Sequence, residues 1–291
     1  MSLEHFRSVE SELNELTAPG AELHKDSPLA TFDPNIPVDP DRLRFQRRLL
    51  DEILSDGVGE VEKDGLAAVV VTAGPPGAGK STLLDGMDIA GPGWRRIDAD
   101  DIKVKLLEVA MNDGSFDQLF ARNLSDGYPI MMNELSSLVH RESVFLADRL
   151  IERCLESREN VIIEGTLSWS GLPRRYLRDF EQNDYSSVTI LDVEVDQATA
   201  LEQAFNRWAT GRHEAIQGAA NGGGRFTPRE AITSIYGADS RVSSCNKNAV
   251  DFFNDPGAES FDDLKLIVYN GQSQEYRRVV GTYLTPVPSY L

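Results

Sequence analysis

The chain has 291 residues, 41% of them hydrophobic, and a formal net charge of −18. That length and apolar content suffice for one sizeable α/β domain with appendages. The acidic surface repels nucleic acid at long range and argues against a nucleic-acid partner. No apolar run approaches the roughly 20 residues that span a bilayer, and the acidic N-terminus lacks the apolar core of a signal peptide. A cytoplasmic chain without a membrane partner is expected. Cys154 and Cys245 stand in no metal-ligand or CxxC spacing and read as unpaired thiols.

In chain order, residues 1–40 combine a short helix over Ser8 to Leu16 with a proline-bearing stretch that has no period. They predict an arm or loop segment ahead of a domain over 41–291. Next comes a helix capped by Asp39 or Asp41, with an apolar stripe of Leu43, Phe45, Leu49, Leu50, Ile53 and Leu54, ended by Gly57. The continuous apolar run "LAAVVVTAG", residues 66–74, has the length of a strand buried on both faces of a parallel sheet. A glycine-rich loop and the start of a helix follow it. "WRRIDADDIKVKLLEVA" reads as a short strand passing into a helix. Further on, Val144, Leu146, Ala147, Leu150, Ile151 and Leu155 recur at helical spacing.

"NVIIEGT" and "SVTILDVEV" are further strands. "DQATALEQAFNRWATGR" is a helix with Ala198, Leu201, Ala204, Phe205 and Trp208 on one face. "NGGG" is a flexible loop, and a lid is expected around 211–226. Thr227, Pro228 and Glu230 form the capping pattern of another helix, and "SSCNKNAVDFF" follows in the same stretch. "LKLIVYN" is the last strand expected, before a polar tail. Strands alternating with helices predict an α/β, P-loop kinase-like fold, a parallel sheet flanked by helices, with the N-terminal arm and helical additions.

The loop carries the sharpest chemical signal. Gly74, Gly79, Lys80 and Ser81 satisfy G-x-x-x-x-G-K-[ST] within Gly74-Pro75-Pro76-Gly77-Ala78-Gly79-Lys80-Ser81-Thr82. Bare backbone N–H groups in such a loop wrap phosphate, lysine reaches the β- and γ-phosphates, and the hydroxyl faces Mg²⁺. A strand before and a helix after supply the context this motif needs. A nucleoside triphosphate, ATP or GTP, with Mg²⁺ is therefore expected. No N-K-x-D run accompanies the loop, which excludes a small GTPase; Asn246-Lys247-Asn248-Ala249 lacks the aspartate.

Asp98, Asp100 and Asp101 follow a short strand, where a carboxylate is able to accept the proton of an attacking hydroxyl and equally able to cap a helix. Glu164 ends a buried strand, placed either to hold Mg²⁺ through water or to meet the acceptor; a plain strand end is the alternative. Thr166 follows it. Arg207, Arg212 and Arg225 suit either phosphate clamping around a glycine lid or surface ion pairing. His5, His24, His140 and His213 are scattered and support neither zinc nor histidine catalysis.

Taken in order, "GPPGAGKST", "IDADDIK", "HRESVFLADRL", "NVIIEGT", "FNRWATGR" and "GRFTP" resemble the zeta-toxin family of bacterial P-loop kinases, over about Asp41 to Tyr236. The resemblance implies transfer of phosphate from ATP or GTP, with Mg²⁺, to the 3′-hydroxyl of the amino sugar in UDP-N-acetylglucosamine. It also implies an epsilon-type antitoxin partner that blocks the nucleotide site. By resemblance Lys80 is the phosphate-loop lysine and Ser81 the metal-side hydroxyl. Asp100 is the catalytic base, Glu164 and Thr166 are the strand-tip acid and threonine, and Arg207 and Arg225 are the clamp. Asp148 and Glu142 are rival positions for a substrate-binding acid. Two readings stay open beside this one: a P-loop kinase of another metabolite or polynucleotide, and a nucleotide-binding regulator without turnover.

Overall fold

Four of the expected apolar runs lie side by side in one sheet in the computed structural model of the chain, which describes residues 3–55, 67–87, 93–220 and 222–291. In chain order the helices and strands are α1 (Arg7–Thr17), α2 (Pro40–Ser55), β1 (Ala68–Ala73), α3 (Lys80–Gly86), β2 (Arg95–Asp98), α4 (Ala99–Asn112), α5 (Asp117–Phe120), α6 (His140–Glu156), β3 (Val161–Glu164), α7 (Leu172–Gln182), β4 (Ser187–Val193), α8 (Gln197–Ile216), α9 (Arg229–Thr233), α10 (Ser244–Asn254), β5 (Asp263–Tyr269), β6 (Ser273–Val279) and β7 (Thr282–Tyr283). Gly57, expected to end α2, and residues 88–91, expected to continue α3, lie outside the described residues. Two compact units emerge. One is Met1–Leu49, Ala99–Ala147 and Leu201–Ile232; the other is Leu50–Asp98, Asp148–Ala200 and Thr233–Leu291.

The second unit holds a seven-stranded sheet in the order β2-β3-β1-β4-β5-β6-β7. β2 to β5 are all parallel, as apolar strands joined by helices require. Val69, Val70 and Val71 of β1 pair with Val161, Ile162 and Ile163 of β3 on one side, and with Val188, Thr189 and Ile190 of β4 on the other. All of β1 but its first residue is buried, which explains a run without alternation. β6 and β7 were not expected: they add antiparallel to β5 at the sheet edge, in what reads as a polar tail. An edge strand with solvated faces needs no apolar stripe; the legible clue is Asn270-Gly271, a hairpin-turn pair, with Gly271 at φ +96°. The helical stretch after Pro228 proves to be two helices, α9 and α10, separated by a segment containing Gly237.

The first unit is built around aromatic side chains. Trp208 of α8 is buried and meets Phe226 edge-on at 5.6 Å and Phe6 at 6.2 Å. Val9, Leu13 and Leu23 are fully buried, so the first 40 residues contribute core to this unit. The buried face of α8 is Ala200, Ala204, Phe205, Trp208 and Ala209; Ala198 of the expected face is exposed. Val144 of α6 is likewise exposed. Arg212, a phosphate-clamp candidate in the sequence, is fully buried. It donates to Glu134 at 2.8 Å and to Asp126 at 2.8 and 2.9 Å, while Trp208 Nε1 donates to Glu134 at 2.8 Å. Burial pushes the Glu134 carboxyl up, against the pull of Arg212. Arg212 is an internal strut, because moving it would leave a buried carboxylate uncompensated.

The Arg225 segment is tightly held. A Cβ on Gly224 would lie 1.9 Å from the Trp208 carbonyl oxygen, and one on Gly223 would meet Met131 at 2.5 Å. Asn133 N donates to Gly222 O and Asn133 Nδ2 to Gly223 O. The glycines expected to give slack instead allow close approach. At the start of α9 the N–H of Arg229 donates to Asn14 Oδ1 at 2.8 Å, so α1 supplies that helix with its acceptor. Asn14→Ala is expected to cost about 1 kcal/mol, the usual worth of a helix-capping acceptor. Amide exchange over 222–233 should rise, with Asn14→Asp restoring protection. Unchanged exchange there in Asn14→Ala would count against the contact.

Candidate functional site

The glycine-rich motif expected to bind phosphate folds as a loop between β1 and α3. Gly74, Gly77 and Gly79 adopt φ of +126°, +88° and +86°, where a side chain is disfavoured. At Gly74 space is limiting too: a Cβ would come within 2.1 Å of the Val193 carbonyl oxygen. Pro75 and Ala78 are buried and shape the turn, with Ala78 N donating to Pro75 O; Pro76 and Gly77 are half-buried. Gly79, Ser81 and Thr82 are exposed. Lys80 Nζ donates to Gly74 O at 2.9 Å and Pro75 O at 3.0 Å, folding the lysine over the loop.

Glu164, at the end of β3, meets this loop. Its Oε2 accepts from Ser81 Oγ at 2.7 Å. Its Oε1 pairs with Arg96 Nε, and Arg96 also donates to Asp85 at 2.7 Å. The β2–β3 register sets Asp98 beside Glu164. Thr166 Oγ1 lies 2.9 Å from Ser168 Oγ, and the Thr166 carbonyl accepts from Gly74 N at 3.1 Å. Ser81 and Glu164 therefore form a hydroxyl–carboxylate pair of hard oxygen donors. That set fits Mg²⁺, which keeps several waters and takes one or two protein oxygens together with phosphates. Among the described residues no group of three or more His, Cys, Asp or Glu gathers as a metal cage.

Behind the loop lies a buried acidic pair that the sequence reading missed. Asp192 of β4 is fully buried; Oδ2 accepts from Asn246 Nδ2 at 2.7 Å, and Oδ1 is a buried atom without a hydrogen-bond partner among the described residues. Burial pushes its pKa up to about 6, opposed by Asn246 and Lys80. Glu194 accepts from Ser243 N at 2.7 Å and Ser243 Oγ at 2.8 Å, and burial pushes it up to about 7. Nothing in "LDVEV" separates these from solvated acids; only the packing of α10 on β4 does.

In the first unit, Asp100 opens α4 and is paired with Arg225 Nη1 and, at 2.8 Å, with Lys103 Nζ. Burial would raise its pKa, but Lys103, Arg225 and Arg207 more than offset that, leaving it well below the usual carboxylate range. Lys103 was legible as the i+3 neighbour on the helix. Arg207 is exposed and lies 3.4 Å from Thr227 Oγ1. His140 is pushed down to about 4 by burial, then by Lys103, Lys25 and Arg141, and is neutral at ordinary pH. The structure thus brings Asp100, Arg207 and Arg225 into one electrostatic cluster, and the phosphate loop, Ser81, Glu164 and Thr166 into another.

The rival acids are each held in an ion pair of their own. Glu142 is fully buried and held by Arg42 at 2.6 and 2.8 Å and by Gln46 at 2.8 Å, so its carboxylate is committed to joining α2 and α6. Asp148 is bidentate with Arg175 at 2.7 and 2.9 Å and remains 34% exposed, so it is the more reachable of the two.

Residues 121–252 match the family model described as Zeta toxin. The matched range holds Glu142, Asp148, Glu164, Thr166, Arg207 and Arg225; the phosphate loop and Asp100 precede it. A search of curated proteins gave no match. Among solved structures, the AvrRxo1-ORF1:AvrRxo1-ORF2 complex with sulphate ions is similar at 16% identity and TM-score 0.53, over 85% of this chain and 70% of that one. A structure from the PezAT chromosomal toxin–antitoxin system of Streptococcus pneumoniae is similar at 12% identity and TM-score 0.50, over 84% of this chain and 83% of that one. At these identities the likeness is one of fold, and the fold is the α/β P-loop kinase type.

The acidic pair gives a pH signature. Unfolded, Asp192 and Glu194 release their protons near the ordinary carboxylate values of 3.8 and 4.5; folded, they hold them to about 6 and 7. Folding therefore takes up protons between about pH 4 and 7, and the stability tied to this pair is lost as pH rises through that window. Asp192→Asn should gain on wild type by ~1–3 kcal/mol between pH 5 and pH 8, measured by urea unfolding. Parallel pH profiles for the two proteins would show that Asp192 is not held protonated.

Proposed function

We propose that the chain is a phosphotransferase of the zeta-toxin type, which moves the γ-phosphate of ATP or GTP to an alcohol of a sugar nucleotide, with the 3′-hydroxyl of the amino sugar of UDP-N-acetylglucosamine as the acceptor. The observation that carries this reading is the glycine-built loop between β1 and α3, with Lys80 folded over it and Ser81 on Glu164. The match of residues 121–252 to the Zeta toxin model supports the family assignment. PezAT is by its name a toxin–antitoxin system, which supports an antitoxin partner here.

Loop N–H groups and Lys80 bind and orient the donor phosphates. Ser81 and Glu164 would hold Mg²⁺, which when bound would neutralise phosphate charge. Asp100 orients the acceptor hydroxyl and receives its proton. As an ion-paired carboxylate it is a weak base at rest. If Arg225 turns to the transferred phosphate, Asp100 loses a cation and its proton affinity rises, coupling arginine engagement to base strength. This order suits a loose transition state, in which the hydroxyl proton leaves late.

Incubation with ATP, Mg²⁺ and UDP-N-acetylglucosamine should add one phosphate to the sugar nucleotide by mass spectrometry. Asp100→Asn should lower the rate by at least ~100-fold, the usual scale of general-base loss. Phosphate appearing on another metabolite of a cell extract, with the sugar nucleotide untouched, would keep the kinase and reject this acceptor. Lys80→Ala should stay folded, because the lysine is folded over loop carbonyls, while nucleotide affinity falls. Retention of wild-type ATP affinity in that variant would reject the phosphate-loop assignment.

A further inference from the structure

The segment after β3 carries a side chain that the proposed chemistry does not use. Trp169 is 61% exposed, although its neighbour Leu167 is 1% exposed and sits at φ +52°. An indole left mostly in water forgoes a large burial gain. It is not a loose side chain on a loose loop. A Cβ at Gly171 would come within 2.4 Å of the ring carbon Cζ2, so the indole lies against the bare backbone of Gly171.

The loop beneath it is fixed along its length. Thr72 Oγ1 both donates to Gly165 O at 3.0 Å and accepts from Gly165 N at 2.9 Å. Gly74 N donates to Thr166 O at 3.1 Å. Asn248 Nδ2 of α10 donates to Leu167 O at 2.7 Å, and Leu172 N closes a turn onto Trp169 O at 3.0 Å. The ring is thus presented from a rigid mount, three residues beyond a carbonyl bonded to the first glycine of the phosphate loop.

We propose that Trp169 is a stacking platform for the planar base of a bound nucleotide; this rests on the phosphate-loop reading above. A pre-seated indole loses little freedom on stacking, and base–aromatic stacking tolerates any base because each offers a π-face. A nucleotide combines the two groups this part of the fold is equipped to take, phosphates at the glycine loop and a flat ring at Trp169. The base belongs either to the donor or to the acceptor, and both share this chemistry.

Tryptophan emission during titration with ATP, UDP and inorganic tripolyphosphate, each with Mg²⁺, separates the cases, with calorimetry as the second readout. ATP or UDP should quench emission and tripolyphosphate should not. Trp169→Phe identifies the quenched residue against Trp94 and Trp208, because the quench disappears while affinity is largely kept. Trp169→Ala should weaken the quenching nucleotide about tenfold. Quenching by ATP assigns the donor base, and quenching by UDP the acceptor base. Equal ATP and UDP affinities in wild type and Trp169→Ala, with the loop still binding ATP, would overturn the platform alone. Failure of ATP, UDP and tripolyphosphate to bind at all would overturn the phosphate loop and the platform together.

Discussion

The contact on which the phosphate loop depends is the meeting of Gly74 with the carbonyl of Val193. No side chain fits between them: a Cβ would stand 2.1 Å from that oxygen. The pairing of β1 with β4 runs in register through Ala73 and Asp192, so the chain leaves β1 directly against the end of β4. Gly74 at φ +126° then turns the loop over the strand ends. On either side of Val193, Asp192 and Glu194 are tied to the first turn of α10 through Asn246 and Ser243. The wall behind the loop is therefore held by α10, which also grips the segment after β3 through Asn248.

Arginine pairing recurs at the acids, and exposure separates their roles. Glu142 is itself sealed beneath a partly exposed Arg42 and joins two helices, whereas Asp100 with Arg225 keeps 32% of its side chain exposed. Glu164 with Arg96 is nearly covered, yet its second oxygen points to the exposed hydroxyl of Ser81. An ion pair that is fully desolvated resists opening, because the charge left behind is uncompensated. A partly solvated pair exchanges partners at small cost. The same chemical pairing is thus part of the scaffold at Glu142 and partly solvated at Asp100.

Local pattern made much of this readable. The phosphate loop is contiguous, its glycines are required by local backbone geometry, and its flanking strand is a plain apolar run. Glu164 ends β3 and Asp100 follows β2 at the start of α4, places that strand length alone marks. The edge hairpin of β6 and β7 was hidden because solvated strands carry no apolar run, and Asp192 because an acid inside a strand has no signature of burial. Arg212 read as either a phosphate clamp or a surface ion pair, because charge in sequence does not distinguish those from a buried strut.

What the sequence by itself determined is the set of parts: a glycine loop after a buried strand, acids at strand ends, and the alternation that makes a parallel sheet. These follow from covalent geometry and from periodic burial, both of which act within a few residues. Only the tertiary structure decided which charges are spent on the scaffold, that Glu164 reaches Ser81 across 83 positions of sequence, and that Trp169 stays in water on a glycine seat. Those outcomes depend on desolvation and on contacts between distant segments, and no short stretch of chain records either.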